Sequence, residues 1–341
     1  MCALTTLHHP GAVVERISGR HHLLWAGLLL IFLGGCEPTG QNAYPSGPIT
    51  FIVPSNPGSS TDTASRTLTA VLQDELGQPV NVSNRTGGGG IAGHLALRRA
   101  PPDGYTLGAI TVEITMMHWT GLTSLEYTNY TPLALVTTNP GAITVRSDAP
   151  WQTVNELLAA IKETPGAIMA SGSSHGGIWD LCRIEFLEAA GLPESGMPWI
   201  PSQGAASALK KLLAGDVNVV TAALTETNAL RKTGQVRTLA VMAEQRLPMA
   251  PDVQTLKELG IDYVSDGDWM VVAAPEHLPE TRAQLLRIAL RRAFTRQDFK
   301  ESMQTAGYQL RYLTGSAVEV FLEDQDNTNG LLMDRAGLTL Q

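Results

Sequence analysis

The stretch from Ile49 to Asp62 limits the possible folds more than any other. Ile49-Thr50-Phe51-Ile52-Val53 is a short apolar run that stops at Pro54. Ser55-Asn56-Pro57-Gly58-Ser59-Ser60 are small turn-forming residues, and a helical spacing of apolar residues (Ala64, Leu68, Val71, Leu72, Leu76) starts near Thr61 or Asp62. A buried strand that passes through such a loop into a helix belongs in a layered α/β sheet. The loop also gathers the orphan N–H groups of a helix start, and the positive end of its dipole, into one concavity that suits an anionic or strongly polar ligand. It carries neither a nucleophile with a base beside it nor a set of metal ligands. The stretch reads as a place to hold something.

The rest of the chain repeats the strand–helix alternation. Predicted strands are Pro79–Val82, Thr106–Thr111, Ala167–Ala170, Trp199–Pro201, Val217–Ala222 and Thr238–Met242. Predicted helices are Asp62–Leu76, Ile91–Arg99, Val154–Lys162, Ile178–Ala190, Ala205–Ala214, Thr225–Thr233 and Val253–Glu258. Thr131–Val145 reads as a strand broken at Asn139-Pro140-Gly141, Tyr263–Ala274 as an apolar return stretch, and Pro279–Ala306 and Val318–Asn327 as helical. Such alternation predicts open α/β sheets with right-handed crossovers, and ligands in these sheets sit beyond the carboxyl ends of the strands.

The amino-terminal residues 1–36 read as an export signal. Arg16 and Arg20 precede the apolar run Leu23–Leu33, which is too short to span a membrane comfortably and ends in Leu33-Gly34-Gly35-Cys36. That ending resembles a bacterial lipobox, with Cys36 as the lipidated first residue of the mature chain and 37–43 as a linker. Cysteines stand only at 2, 36 and 182, so processing at Cys36 would leave Cys182 with no disulfide partner. The net charge of −8 and the lack of a basic stripe argue against nucleic-acid binding. His94, His118 and His175 are scattered without metal-ligand spacing, so no metal and no cofactor are expected.

An ordered set of motifs then points to a family: Pro54-x-x-Pro57-Gly58-Ser59-Ser60-Thr61-Asp62, Leu76-Gly77-Gln78-Pro79-Val80, Asn84-Arg85-x-Gly87 to Gly90, and Pro102-Asp103-Gly104-Tyr105-Thr106-Leu107. Gly234-Gln235-Val236-Arg237-Thr238-Leu239-Ala240-Val241 and Pro251-Asp252-Val253-Gln254-Thr255 follow in step. This set resembles the TctC/Bug family, the extracytoplasmic solute receptors of tripartite tricarboxylate transporters. The resemblance implies a monomeric, two-lobed periplasmic-binding-protein fold of type II, a Venus flytrap, with 44–138 plus 266–341 as one domain and 139–265 as the other. It implies capture of a small organic solute bearing a carboxylate, amide or amine, delivery to a membrane permease, a periplasmic location with a lipid anchor, and no catalytic residues. Carried over residue by residue, the ligand-binding set is Ser55, Asn56, Pro57, Gly58, Ser59, Ser60, Thr61, Asp62, Thr111, Glu113, Ser171, Ser173, Ser174, His175, Gln203, Gly204, Thr221 and Trp269. Two departures stand out. Glu113 occupies a place where dicarboxylate binders are expected to have a small residue, and the loop with His175 is one residue longer. An unpaired carboxylate at 113 would repel an anion and favour a ligand that donates hydrogen bonds.

Two enzyme readings compete with this one. Gly88-Gly89-Gly90-Ile91-Ala92-Gly93 fits a dinucleotide fingerprint, which an exported chain has little use for. Gly172-Ser173-Ser174-His175-Gly176 fits a nucleophile elbow, with Ser174 as nucleophile, Asp252 or Asp266 as acid and His277 as base.

Overall fold

A computed structural model describes residues 44–339; the signal, linker and Cys36 lipidation readings lie outside the described residues. In chain order the first elements are β1 (Ile49–Val53), α1 (Ser60–Leu76), β2 (Val80–Asn84), α2 (Ile91–Arg98), β3 (Thr106–Thr111), β4 (Tyr130–Asn139) and β5 (Gly141–Arg146). Next come α3 (Val154–Glu163), β6 (Ala170–Ser171), α4 (Ile178–Ala189), α5 (Ala205–Ala214), β7 (Val219–Ala223), α6 (Leu224–Lys232) and β8 (Val236–Val241). The chain closes with β9 (Asp268–Pro275), α7 (Glu280–Thr295), α8 (Gln297–Ala306), β10 (Gln309–Thr314) and α9 (Ser316–Arg335).

Among the described residues these strands form two sheets, one ordered β10-β4-β9-β3-β1-β2 and one ordered β6-β7-β5-β8. β1 runs parallel to β2 and β3, whereas β9 enters antiparallel between β3 and β4. Both faces of the larger sheet are covered. Met270, Val272 and Ala274 of β9 pack with Phe51, Leu68 and Leu286 on one side, and Trp269, Val271 and Ala273 pack with Ile110, Phe321 and Leu332 on the other. Two-sided burial is why β9 reads as a continuous apolar run and not as an alternating one. In the smaller sheet β5 is antiparallel to both neighbours, and Ile143, Val145 and Val219 pack against Leu157, Phe186 and Leu212.

The chain passes between the sheets at two adjacent points. β4 leads through Pro140 directly into β5, and the return strand crosses beside it, with Asn139 N donating to Asp266 O at 3.2 Å. Gly267, at φ 59°, lies so close to this crossing that a Cβ would collide with Asn139 O, so only glycine fits.

Several predicted elements change. Trp199–Pro201 contributes only a bridge from Trp199 to Ala170, and the helix expected at Val253–Glu258 is a single turn, Lys257–Leu259. Pro279–Ala306 is two helices, because Arg296 turns extended (ψ 137°) and clamps Asp298 and Asp74 across the break. β10 was not predicted. It is an edge strand at the chain's polar end, where one-sided burial leaves little pattern.

Candidate functional site

The two Gly/Ser loops singled out in the sequence are built on the same plan. At α1, Ser59 is the N-cap, its Oγ accepting from Asp62 N at 3.2 Å, so the cap is Ser59 and not Asp62. Asp62, at the third helical position, turns its carboxylate inward: it accepts from Gly58 N (2.8 Å), Arg66 Nε (3.0 Å) and Asn84 Nδ2 (2.8 Å). Burial pushes this carboxyl up, but the bonds from Arg66, Gly58 and Asn84 outweigh it and hold the group below its usual range. At α4, Asp180 is again the third helical residue. It accepts from Gly176 N (3.0 Å), from His175 Nδ1 (2.9 Å) and from the Arg183 guanidinium (2.7 and 2.9 Å). Gly58 and Gly176 both have positive φ, 81° and 70°. In each loop a buried Asp therefore folds a glycine N–H back toward the helix start and an Arg one turn on neutralises it. The first N–H groups of each helix are left without intrahelical partners. The sequence showed the loops but not the device, although the i,i+3 spacing of Asp180 and Arg183 along α4 was a local signal for it.

The glycine run before α2 has a packing role. A Cβ on Gly93 would sit 2.5 Å from Pro54 Cα and 2.8 Å from Arg85 O, so α2 rests directly on the end of β1. His94, fully buried, ties this corner to β3: Thr111 N donates to Nε2 (3.4 Å), which leaves Nδ1 as the donor to Gly90 O (3.0 Å). Burial lowers the imidazole to about 4, so it is neutral.

Beyond these loops, strand ends from both sheets open on one gap at the crossing. Glu113 follows β3 and accepts from Thr111 Oγ1. Asp268 opens β9, paired with Asn139 of β4; Glu113, in the 3-10 turn Val112–Thr115 that follows β3, lies close enough for its charge to act on Asp268. Across the crossing Gly141 pairs with Ala223, whose N–H donates to Glu226 at 3.2 Å. The three carboxyls thus converge from β3, β9 and α6, each partly accessible. Desolvation is the first cause raising all three, and mutual repulsion adds to Glu226 and Asp268. Glu226 is pushed up to about 7. Tyr308, whose OH donates to Ser60 O at 2.7 Å, joins the α1 loop to this gap and feels the Asp268 and Glu226 charges. Among the described residues no group of three or more His, Cys, Asp or Glu is placed to hold a metal ion. A separate groove of about 520 Å³ lies at the crossing with Thr138, Glu185, Asp266 and Arg311 on its walls. Its charged groups are already paired, Arg311 with Asp266 and Tyr263 with Glu185, and it lacks the convergent loops of the acidic gap.

The remaining expected site residues divide clearly. Ser55 and Ser59 bond each other (2.7 Å), Asn56, Pro57 and Gly58 are exposed, and Ser60 and Thr61 open α1. Ser171 is buried, bonded to Ile200 O and Ser202 Oγ. The Ser173 and Ser174 hydroxyls stand over Gly177; Gln203 is exposed and Gly204 caps α5. Thr221 is fully buried, donating to Trp179 O at 2.8 Å. Trp269 is a correction: it is 1% exposed, packs edge-on against Phe321 and donates to Gln325 on the core face of the sheet. Its neighbour Asp268, on the other face, meets the gap instead. From the segments Thr221–Glu226 and Asp268-Trp269, which the resemblance assigns to the pocket and hinge, the ligand-binding set takes Thr221 and Trp269 and leaves out Glu226 and Asp268. Asn139 is likewise outside it, and an acid at the head of an apolar strand was a signal for Asp268. The elbow reading does not assemble either: Asp252 pairs with Arg231, Asp266 with Arg311, and His277 points into solvent beside Glu276.

Two sheets joined at a double crossing, with the α1 start and acids from both sheets around a polar gap, define a two-lobed solute-binding protein. Residues 64–338 match the TctC family, described as "Tripartite tricarboxylate transporter family receptor", and the chain belongs to that family. It is 31% identical over 263 residues to the protein BugT of Bordetella pertussis, covering 73% of this chain and 77% of BugT. A TctC solute-binding protein from Polaromonas, solved without ligand, superposes with a TM-score of 0.72 at 31% identity, covering 86% of this chain and 99% of that one. MatC from Rhodopseudomonas palustris, solved with bound malate, shares the fold with a TM-score of 0.71 at 23% identity, covering 85% and 99%. The family and its structural relatives are solute-binding receptors and not enzymes. No described helix is long and apolar enough to cross a membrane.

Proposed function

We propose that the chain captures a small organic solute between two lobes, 44–138 with 266–341 and 139–265, and hands it to the permease of a tripartite tricarboxylate transporter. The observation that carries this reading is the meeting, at one gap, of acids next to strand ends of both sheets: Asp268 at the start of β9 and Glu113 in the turn after β3 beside the larger, and Glu226 in the first turn of α6 after β7 beside the smaller. A ligand bridging that gap contacts both lobes at once, so binding favours closure about Asn139 and Gly267. The α1 and α4 loops, Pro54–Asp62 and Ser171–Gly176, supply N–H donors for a carboxylate end. On this reading the chain works in the periplasm, tethered through a lipidated Cys36.

Thermal-shift screening against carboxylates, amino acids and amides tests capture. A solute at 100 times its Kd adds about 2.7 kcal/mol, and the hit should also compact the protein in small-angle scattering. A hit without compaction removes the flytrap mechanism. Delivery predicts that cells lacking the chain stop taking up that solute, and unchanged uptake removes the transport role.

A further inference from the structure

The acidic gap has a composition that the capture reading does not require. Its side chains are the carboxyls of Glu113, Glu226 and Asp268, with no Lys, Arg or His among the groups acting on them; burial and repulsion hold them back from ionising, and a bound cation would draw them to the acceptor-only carboxylate form. Asn139, only 4% exposed, adds an independent sign. It stands directly opposite Asp268 in the β4–β9 ladder, hence on the same face of the sheet, and its Oδ1 is buried without a partner. A buried carbonyl oxygen left unpaired costs roughly what a lost hydrogen bond does, and a donor arriving from outside would remove that cost. The two hydroxyls beside the gap, Ser60 Oγ and Thr225 Oγ1, are likewise buried without partners.

Two kinds of visitor fit a set of convergent oxygen acceptors, a metal ion and an organic cation. The carboxyls lie near enough to repel one another yet are not grouped closely enough to hold a metal.

Resting on the receptor reading above, we propose that this gap is the specificity pocket for a protonated amine, with Glu113, Glu226 and Asp268 as its counter-charges and Asn139 Oδ1 as a fourth acceptor. The solute is then an amine-bearing acid. Its ammonium sits in the acidic gap and its carboxylate faces a helix-start loop, so both ends meet opposite charge. A plain dicarboxylate of the same length would press one anionic end against three carboxyls.

The test uses two matched series at pH 7.5, the ω-amino acids from 3-aminopropanoate to 6-aminohexanoate and the α,ω-dicarboxylates of the same lengths, with calcium chloride as a third probe. Binding is read by calorimetry and thermal shift on the full chain. The expected result is that at least one amino acid binds, at least tenfold more tightly than its dicarboxylate partner. In Glu113→Gln/Asp268→Asn that affinity falls tenfold or more, while the ligand-free variant melts higher than the wild type because the repulsion is gone. Glu226→Gln, which keeps its acceptor for Ala223 N, gives a second reading should the double variant fail to fold. Dicarboxylates that bind as tightly as the amino acids, or variants that retain full affinity for the amine, overturn the inference and leave the receptor reading intact. Stabilisation by calcium alone also overturns it, in favour of a metal site. Silence of all three probes, while the wider thermal-shift screen finds another solute, overturns the inference and leaves the receptor reading intact; silence in both overturns capture itself.

Discussion

Glu226 lets the acidic gap be weighed without any ligand. Its carboxyl moves from 4.5 to about 7 on folding, because burial and the Glu113 charge both oppose ionisation. A group whose folded pKa is raised contributes fully below its unfolded value, and that contribution is lost as pH rises through the folded one. Well above pH 7 the folded protein therefore carries a penalty of about 3 kcal/mol from this one residue, at about 1.4 kcal/mol per tenfold change in proton affinity. Glu226 is partly accessible, so water in the gap screens the repulsion and roughly 1–3 kcal/mol is the working range. Glu226→Gln keeps an oxygen for the Ala223 N–H and removes the charge. At pH 5 the variant and the wild type should melt together. At pH 8.5 the variant should melt higher by roughly 2–5 °C, taking about 2 cal/mol/K of unfolding entropy per residue over a unit of roughly 300 residues. Differential scanning calorimetry across this range reads the difference directly. A gap between the two proteins that does not change with pH, or a variant less stable at pH 8.5, would refute the picture of Glu226 as a repelled, half-desolvated acid.

Other parts of the site give further expectations. His94 is lowered to about 4 by burial, so its contribution is complete above pH 6.5 and lost as pH falls toward 4. His94→Gln should be less stable at pH 7, and its melting curve should lack the wild-type decline of up to about 3 kcal/mol over that interval. Gly93→Ala drives a methyl against Pro54 Cα and Arg85 O and should cost roughly 1–3 kcal/mol in urea unfolding. Gly89→Ala meets nothing within 4 Å, so it should cost only the roughly 1–2 kcal/mol of its positive φ; equal losses at the two positions would contradict the close seating of α2 on β1. Asp180→Asn strands a buried guanidinium, with Arg183 only 3% exposed, and should cost roughly 3–5 kcal/mol. The matching Asp62→Asn leaves an Arg66 that is 51% exposed and should cost less, and the reverse order in denaturant titrations would contradict the burial argument.

The sequence alone settled what depends on neighbours along the chain. The run from Ile49 to Val53, the small-residue loop and the apolar spacing of α1 are local, so the strand–loop–helix unit was legible before any folding. The break at Asn139-Pro140-Gly141 was legible for the same reason, since a proline followed by glycine removes a ladder donor and favours a turn there. Motif order carried the family. Tertiary structure decided what depends on which distant groups share a space. Asn84, 22 positions away, joins the local partners Gly58 and Arg66 on the Asp62 carboxylate, and the cap is left to Ser59. Trp269 went to the core and Asp268 to the gap because a strand alternates its faces, and only the pairing of β9 with β3 and β4 says which face is which. Glu113 was suspect from the sequence, but its two acidic companions sit 113 and 155 positions further along, and only the double crossing brings them together. Charge repulsion acts through space, so a chain read residue by residue cannot show that three of its acids share one gap.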